Sequence, residues 1–333
     1  TNGFVYTAPL VFTNTTVLRA GAYRANYVPA FAAHTYVFPE LMMFQTGAGF
    51  PATWGTNAYG ATVYANYRCH SNIVNDPQWS DQIPTALLSL PTVSVAMNND
   101  DLFGPDGIYS HPLSEGDEWE RPCSLEYFRP NGQPDLQVNC GIQIHGGVSR
   151  DPWWILKHSL RVMFKEIYGP TKLLYDLYPG SPVSEFDTLV LHGSFNDHWL
   201  YLGPRAQMQR DQWSADTQRE IGGYGTHGTY VHLYLNGLYW GMYNLGERPD
   251  DSYAANYLGG DKSDYDSFKG GELKNGTADA LNELLAMARA GITNETVYSN
   301  VCYYLNVPHF IDYLLINFYA DNVDFTFDNY WLE

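Results

Sequence analysis

The chain has 333 residues, 36 acidic against 18 basic side chains, a formal net charge of -18 and a pI near 4.8. An acidic surface of that size excludes general affinity for nucleic acid, which Lys and Arg on phosphate would drive, and for anionic membrane surfaces. The length favours two units over one core, and no apolar run reaches the roughly 20 residues a bilayer span requires, so direct membrane insertion is not expected. Charged residues at 16%, aromatics at 16% and only four cysteines suit a secreted or cell-surface protein held by its core.

Residues 1–39 read as short strands with polar turns: Tyr6 to Leu10, Thr16 to Ala20 and His34 to Phe38. The pieces "YTAPLVFTNTTVLRAGAY" and "HTYVF" resemble the C-terminal half of the small Ig-like β-sandwich module attached to bacterial chitobiases and hexosaminidases. The resemblance implies a partial module acting as a spacer, with further strands upstream. Residues 40–90 read as a connector, with a short helix near Thr85 to Leu90.

A mixed domain is expected over 91–333. Thr92 to Met97 alternates like a strand. Asn98-Asn99-Asp100-Asp101 and Asp106 read as a solvated acidic turn; calcium is conceivable, but the spacing fits no EF-hand. Cys123 and Cys140 flank Asn131-Gly132, a strong hairpin signal. Counting outward from that turn sets Cys123 opposite Cys140, Leu125 opposite Val138 and Tyr127 opposite Leu136. Glu126 with Gln137 and Ser124 with Asn139 fall on the other, polar face. The two thiols are therefore neighbours on this reading, with Pro134 able to shift the register.

Another strand covers His158 to Phe164, and a further one Phe186 to Leu191. A helix is expected from Pro204 to Ile221, ended by Gly222-Gly223. A second hairpin runs from Tyr230 to Leu245 about Asn236-Gly237. Asp261 to Lys274 reads as polar loop. Helices follow from Ala278 to Ala290, closed by Gly291, and from Pro308 to Ala320.

The last helix runs into Asp321-Asn322-Val323-Asp324-Phe325-Thr326-Phe327-Asp328-Asn329. Asp324 and Asn329 have the separation that protein-kinase catalytic loops give their Asp and metal-binding Asn. Phosphoryl transfer needs a carboxylate near the attacking hydroxyl and an oxygen ligand on the metal that bridges the phosphates. The pair alone is weak, since Asp and Asn also cap turns. The order of elements upstream is more informative. His145-Gly146-Gly147-Val148-Ser149-Arg150 is a glycine loop between two strands, where glycine allows backbone to approach phosphate. Lys157 follows at the start of the next strand, with Arg161 at the same parity as a rival phosphate ligand. Asp211, Asp216 or Glu220 on the following helix could hold the lysine. Asn244-Leu245-Gly246-Glu247-Arg248-Pro249 stands where a kinase has its adenine hinge.

The segments "PTVSVAMNNDDLFGPDGIYSHP", "GIQIHGGVSRDPWWILKHSLRVMFKEIYG", "VHLYLNGLYWGMYNLGERPD" and "INFYADNVDFTFDNYW" resemble the CotH family of atypical, kinase-like proteins, known from spore coats and large exported bacterial proteins. The resemblance implies an α+β, protein-kinase-like two-lobed domain that binds ATP with Mg2+ or Mn2+. It also implies phosphorylation of Ser or Thr on extracellular or surface proteins. By position it makes Lys157 and Asp324 catalytic, and it places Gly146, Gly147, Ser149, Arg150, Arg161 and Glu247 at the nucleotide and Asn329 with Asp324 at the metal. Asp328 departs from the pattern, because many relatives carry Asn there. The family's next metal-binding aspartate would fall beyond Glu333, so a domain truncated there is expected to bind Mg-ATP weakly and turn over little. A non-catalytic kinase-like scaffold is the competing expectation, and a glycan-active enzyme with paired carboxylates is a third.

Overall fold

The computed structural model describes residues 3–22, 24–25, 30–130, 134–325 and 330–332. In chain order the elements are β1 (Thr16–Ala22), β2 (Ala30–Tyr36), β3 (Thr53–Thr56), β4 (Thr62–Tyr64), α1 (Ser71–Val74), α2 (Ile83–Leu87), β5 (Thr92–Met97), α3 (Asn99–Phe103), β6 (Arg121–Phe128), β7 (Pro134–His145) and β8 (Ser159–Met163). Then come β9 (Leu173–Leu174), β10 (Glu185–Phe186), β11 (Thr188–His192), α4 (Trp199–Leu202), α5 (Arg210–Glu220), β12 (Gly228–Leu235) and β13 (Leu238–Glu247). The rest is α6 (Asp251–Leu258), β14 (Ser267–Lys269), β15 (Glu272–Asn275), α7 (Asp279–Ala290), α8 (Glu295–Tyr304), α9 (Val307–Tyr319) and β16 (Trp331–Leu332). The fold class is α+β, as expected. Two compact units form: Thr1–Thr171 with Leu191–Phe195 and Tyr230–Asn244, and Lys172–Val190 with Asn196–Thr229 and Leu245–Glu333.

A closed seven-stranded barrel forms, in the order β11-β13-β12-β5-β6-β7-β8. The decisive pairing is parallel: β12 runs beside β5, with Leu233 opposite Val93 and Leu235 opposite Val95. It joins segments far apart in sequence, so no turn signal announces it. One set of side chains meets across the registers. Val93, Val95 and Met97 face Tyr127, Leu125 and Cys123, and Ile142 and Ile144 face Val162 and Leu160. These residues are buried and fill the barrel.

The first hairpin was legible in detail. Cys123 pairs with Cys140, Leu125 with Val138, Tyr127 with Leu136 and Glu126 with Gln137, and the register slips only between Tyr127 and Phe128, next to Pro134. The Asn131-Gly132 turn lies outside the described residues. In the second hairpin Asn236 and Gly237 both take positive φ, 49° and 83°, as a two-residue turn between twisted strands requires.

Other expectations need correction. Tyr6 to Leu10 is exposed and forms no strand, and the hairpin is β1 with β2, Thr16 opposite Tyr36. That hairpin lies on the polar outer face of the barrel, where Thr35 hydrogen-bonds Ser94 (2.7 Å) and His34 meets Glu126 (3.2 Å). The 98–101 stretch is the start of α3, capped by the Asn98 side chain on Asp100 N, rather than an open turn. The helix foreseen from Pro204 begins instead at Arg210. Asp197 accepts from the backbone of Gln207, Gln209 and Arg210, and Met208 sits at φ 59°, which breaks the helical path. Residues 261–274 are not loop: β14 and β15 pair there, and β16 joins them. Sequence patterning also missed α6 and α8.

The Cys123 and Cys140 sulfurs lie 3.4 Å apart as buried free thiols. Air or peroxide oxidation should join them. Intact mass should fall by about 2 Da as two hydrogens leave, a cross-linked peptide should appear on proteolysis, and Cys123→Ser should abolish both signals.

Candidate functional site

The glycine turn is set by β7 and β8. Gly146 adopts φ 124°, and a Cβ there would run into Ser149 Oγ, so only glycine fits without strain. Gly147 opens onto free space and is exposed, as is Val148. Ser149 offers its carbonyl to the buried His158, whose Nδ1–H donates at 3.1 Å. Burial lowers the His158 imidazole to about 4, so it is neutral at physiological pH.

Arg150 closes the turn from within. Its Nε donates to Gly146 O (2.6 Å), its guanidinium reaches the carbonyls of Ser114 (2.9 Å) and Pro112 (3.4 Å), and Glu115 lies 3.2 Å away. Burial lowers the guanidinium below its ordinary value and Glu115 raises it. With so many contacts to the 112–115 loop, the side chain shapes the turn.

Lys157 does not begin a strand: β8 starts at Ser159, and Lys157 lies in the bend before it. Strand parity therefore does not govern its direction. Its Nζ stands 3.5 Å from the centroid of the Trp240 ring and 6.0 Å from that of Trp54. Those rings belong to an aromatic cluster with Tyr67, Phe103 and Tyr109. Trp54 Nε1–H donates to Tyr67 Oη (2.8 Å), and Trp240 Nε1–H to Tyr109 Oη (2.7 Å). Burial lowers the Lys157 ammonium to about 7, with Cys69 raising it slightly. Contact with the Trp240 face favours the charged form and opposes that lowering.

Arg161 lies within β8, directly opposite Gln143, on the face away from the core. The residue is half-buried, and its Nε is buried without a hydrogen-bond partner among the described residues.

In the second unit, Glu247 ends β13 with its carboxylate enclosed. It accepts from His227 N (2.7 Å) and His227 Nδ1 (3.1 Å), and from Tyr257 Oη (2.8 Å). Ser181 and Tyr257 hydroxyls share a bond of 3.2 Å. A carboxylate so fully engaged anchors β13 and α6 to the 227 segment. On α5, Asp216 binds Gln212 and Arg219, while Asp211 and Glu220 are exposed.

Asp324 follows α9 in a loop built by asparagines. Asn322 Oδ1 accepts from Asp324 N (3.1 Å), and Asn317 Oδ1 accepts from Asn322 Nδ2 (2.7 Å). Phe325 is buried against Tyr313 and Phe318, which pins the loop and leaves Asp324 exposed. Asn329 and Asp328 lie outside the described residues. Among the described residues, no three or more His, Cys, Asp or Glu side chains gather as a metal site, the 98–106 acids included.

A glycine turn thus joins β7 to β8 in the first unit, and in the second α9 leads into an exposed aspartate loop. The chain belongs to the CotH family: the model described as CotH kinase protein matches residues 142–333, more than half of it. No curated protein matches it. The match starts at Ile142, within β7, so β5 and β6, which the barrel requires, lie ahead of the matched region.

Two outcomes follow from this geometry. Lys157 is depressed in the folded chain, whereas an unfolded lysine holds its proton to about 10.4. Raising pH between those values should therefore stabilise the wild type relative to Lys157→Met, and the gain should vanish as pH falls through about 7. Urea midpoints at pH 7 and 9.5 measure it. Glu247→Ala strips the acceptor from two half-buried partners and should lower unfolding free energy by about 1–3 kcal/mol in urea titration.

Proposed function

We propose that this chain is an atypical protein kinase domain that transfers the γ-phosphoryl group of ATP to Ser or Thr of extracellular or surface proteins, outside the bacterial cytoplasm. Membership of the CotH kinase protein family carries this reading. The Gly146-Gly147 turn supports nucleotide binding, since it leaves open backbone beside Gly147. Asp324, exposed on an ordered loop, would orient the acceptor hydroxyl and take its proton as the hydroxyl oxygen attacks phosphorus. Mg2+ or Mn2+ would be held by Asp324 with Asn329, and would supply charge neutralisation on the phosphates. No helix among the described residues is long and apolar enough to cross a membrane.

One observation favours a non-catalytic scaffold instead: the Lys157 ammonium rests on Trp240. A scaffold would neither bind nor turn over nucleotide.

Incubating the chain with radiolabelled ATP, Mg2+ or Mn2+ and dephosphorylated casein separates the two readings. The kinase reading expects label on the acceptor, and Asp324→Asn should cut it about 100-fold or more while leaving thermal stability unchanged. No incorporation with either metal, together with no thermal shift by ATP, would count against catalysis by this chain and favour the scaffold.

A further inference from the structure

We propose that Arg161, rather than Lys157, is the residue that grips the phosphates, as a guanidinium fork for a diphosphate group. This deepens the kinase reading and rests on it for the identity of the ligand.

Four cations lie around the glycine turn and β8, and three are engaged. Arg150 is bound to the carbonyls of residues 112, 114 and 146 and to Glu115. Lys165 pairs with Glu120 at 2.7 Å and Asp117 at 3.4 Å. Lys157 stands on the Trp240 face. Arg161 is different: the residue is half-buried, and its Nε is buried with no hydrogen-bond partner among the described residues. A guanidinium N–H is an obligatory donor, so the buried Nε calls for an acceptor.

The strand positions beside Arg161 carry no negative charge. Outward positions of the β7–β8 pair are Gly141, Gln143 and His145 on one strand and Ser159, Arg161 and Met163 on the other. None is a carboxylate, in a chain with 36 acids against 18 bases. Gln143, directly opposite Arg161 and 8% exposed, has, among the described residues, the Met163 thioether as its amide's one partner, at 3.6 Å. A thioether is a weak acceptor, so a second donor also stands ready. The glycine turn begins one residue past the His145–Ser159 pair, about 7–10 Å along the strands from Arg161. A planar fork suits two phosphate oxygens at once, which lysine cannot match.

Inorganic pyrophosphate is the probe, titrated calorimetrically into the whole chain and into Arg161→Gln, Arg161→Lys, Lys157→Met and Lys165→Gln, each checked for folding by circular dichroism. We expect saturable binding by wild type, a loss of tenfold or more in Arg161→Gln, partial retention in Arg161→Lys, and changes under threefold in the other two. Arg161→Lys serves as the readout if Arg161→Gln fails to fold. Absence of binding by wild type, equal affinity in Arg161→Gln or Arg161→Lys, or loss confined to Lys157→Met overturns the assignment. ATP competition separates this from the kinase reading. Pyrophosphate held through Arg161 but not displaced by ATP leaves the anion site standing and removes the kinase. Phosphorylated casein with undiminished affinity in Arg161→Gln does the reverse.

Discussion

In a closed barrel a strand can send each side chain only inward or outward, and that alternation governs the chemistry around the glycine turn. Leu160 and Val162 must fill the interior because Ile144 and Ile142 oppose them. Arg161, between them, is forced to the outer face. The constraint holds because the barrel has no loose strand: a slip of one residue in β8 would turn a guanidinium into an apolar core, at a cost no small domain could absorb. Lys157 escapes the rule by lying ahead of the strand, and the aromatic cluster captures it.

The two units use polar groups in contrasting ways. In the first, buried hydroxyls and indole N–H groups pair with one another inside an aromatic cluster, Trp54 with Tyr67 and Trp240 with Tyr109. Each buried polar tip has a partner, which lets large rings pack at depth. In the second, single acidic side chains organise whole loops. Asp197 takes the backbone donors that start α5, and Glu247 gathers His227 and Tyr257. Such residues are structural in the strict sense that several backbone or buried donors would be stranded without them.

Local features were legible and distant ones were not. Two-residue alternation and a turn dipeptide sufficed to place Cys123 against Cys140, because register counts outward from the turn. Asn236-Gly237 worked for the same reason. The β5–β12 pairing could not be read, since it depends on the packing of segments more than a hundred residues apart. The helix at 204–221 was overextended because its true start is set by Asp197, a cap from outside the helix. At the candidate site, glycine chemistry at Gly146 was readable from composition, whereas the direction of Lys157 was not: its partners, Trp54 and Trp240, come from remote stretches that patterning read as connector and hairpin core.

Closure of the barrel also limits how this protein can meet a partner. Its seven strands present no unpaired edge, so an extended peptide cannot lengthen that sheet by main-chain bonding, a common means of docking unstructured tails. Among the described residues, strand edges remain only in the short sheets β1–β2, β3–β4, β9–β10 and β15–β14–β16, so an extended segment meeting the barrel itself would have to dock on loops and helix surfaces, by side-chain shape and charge.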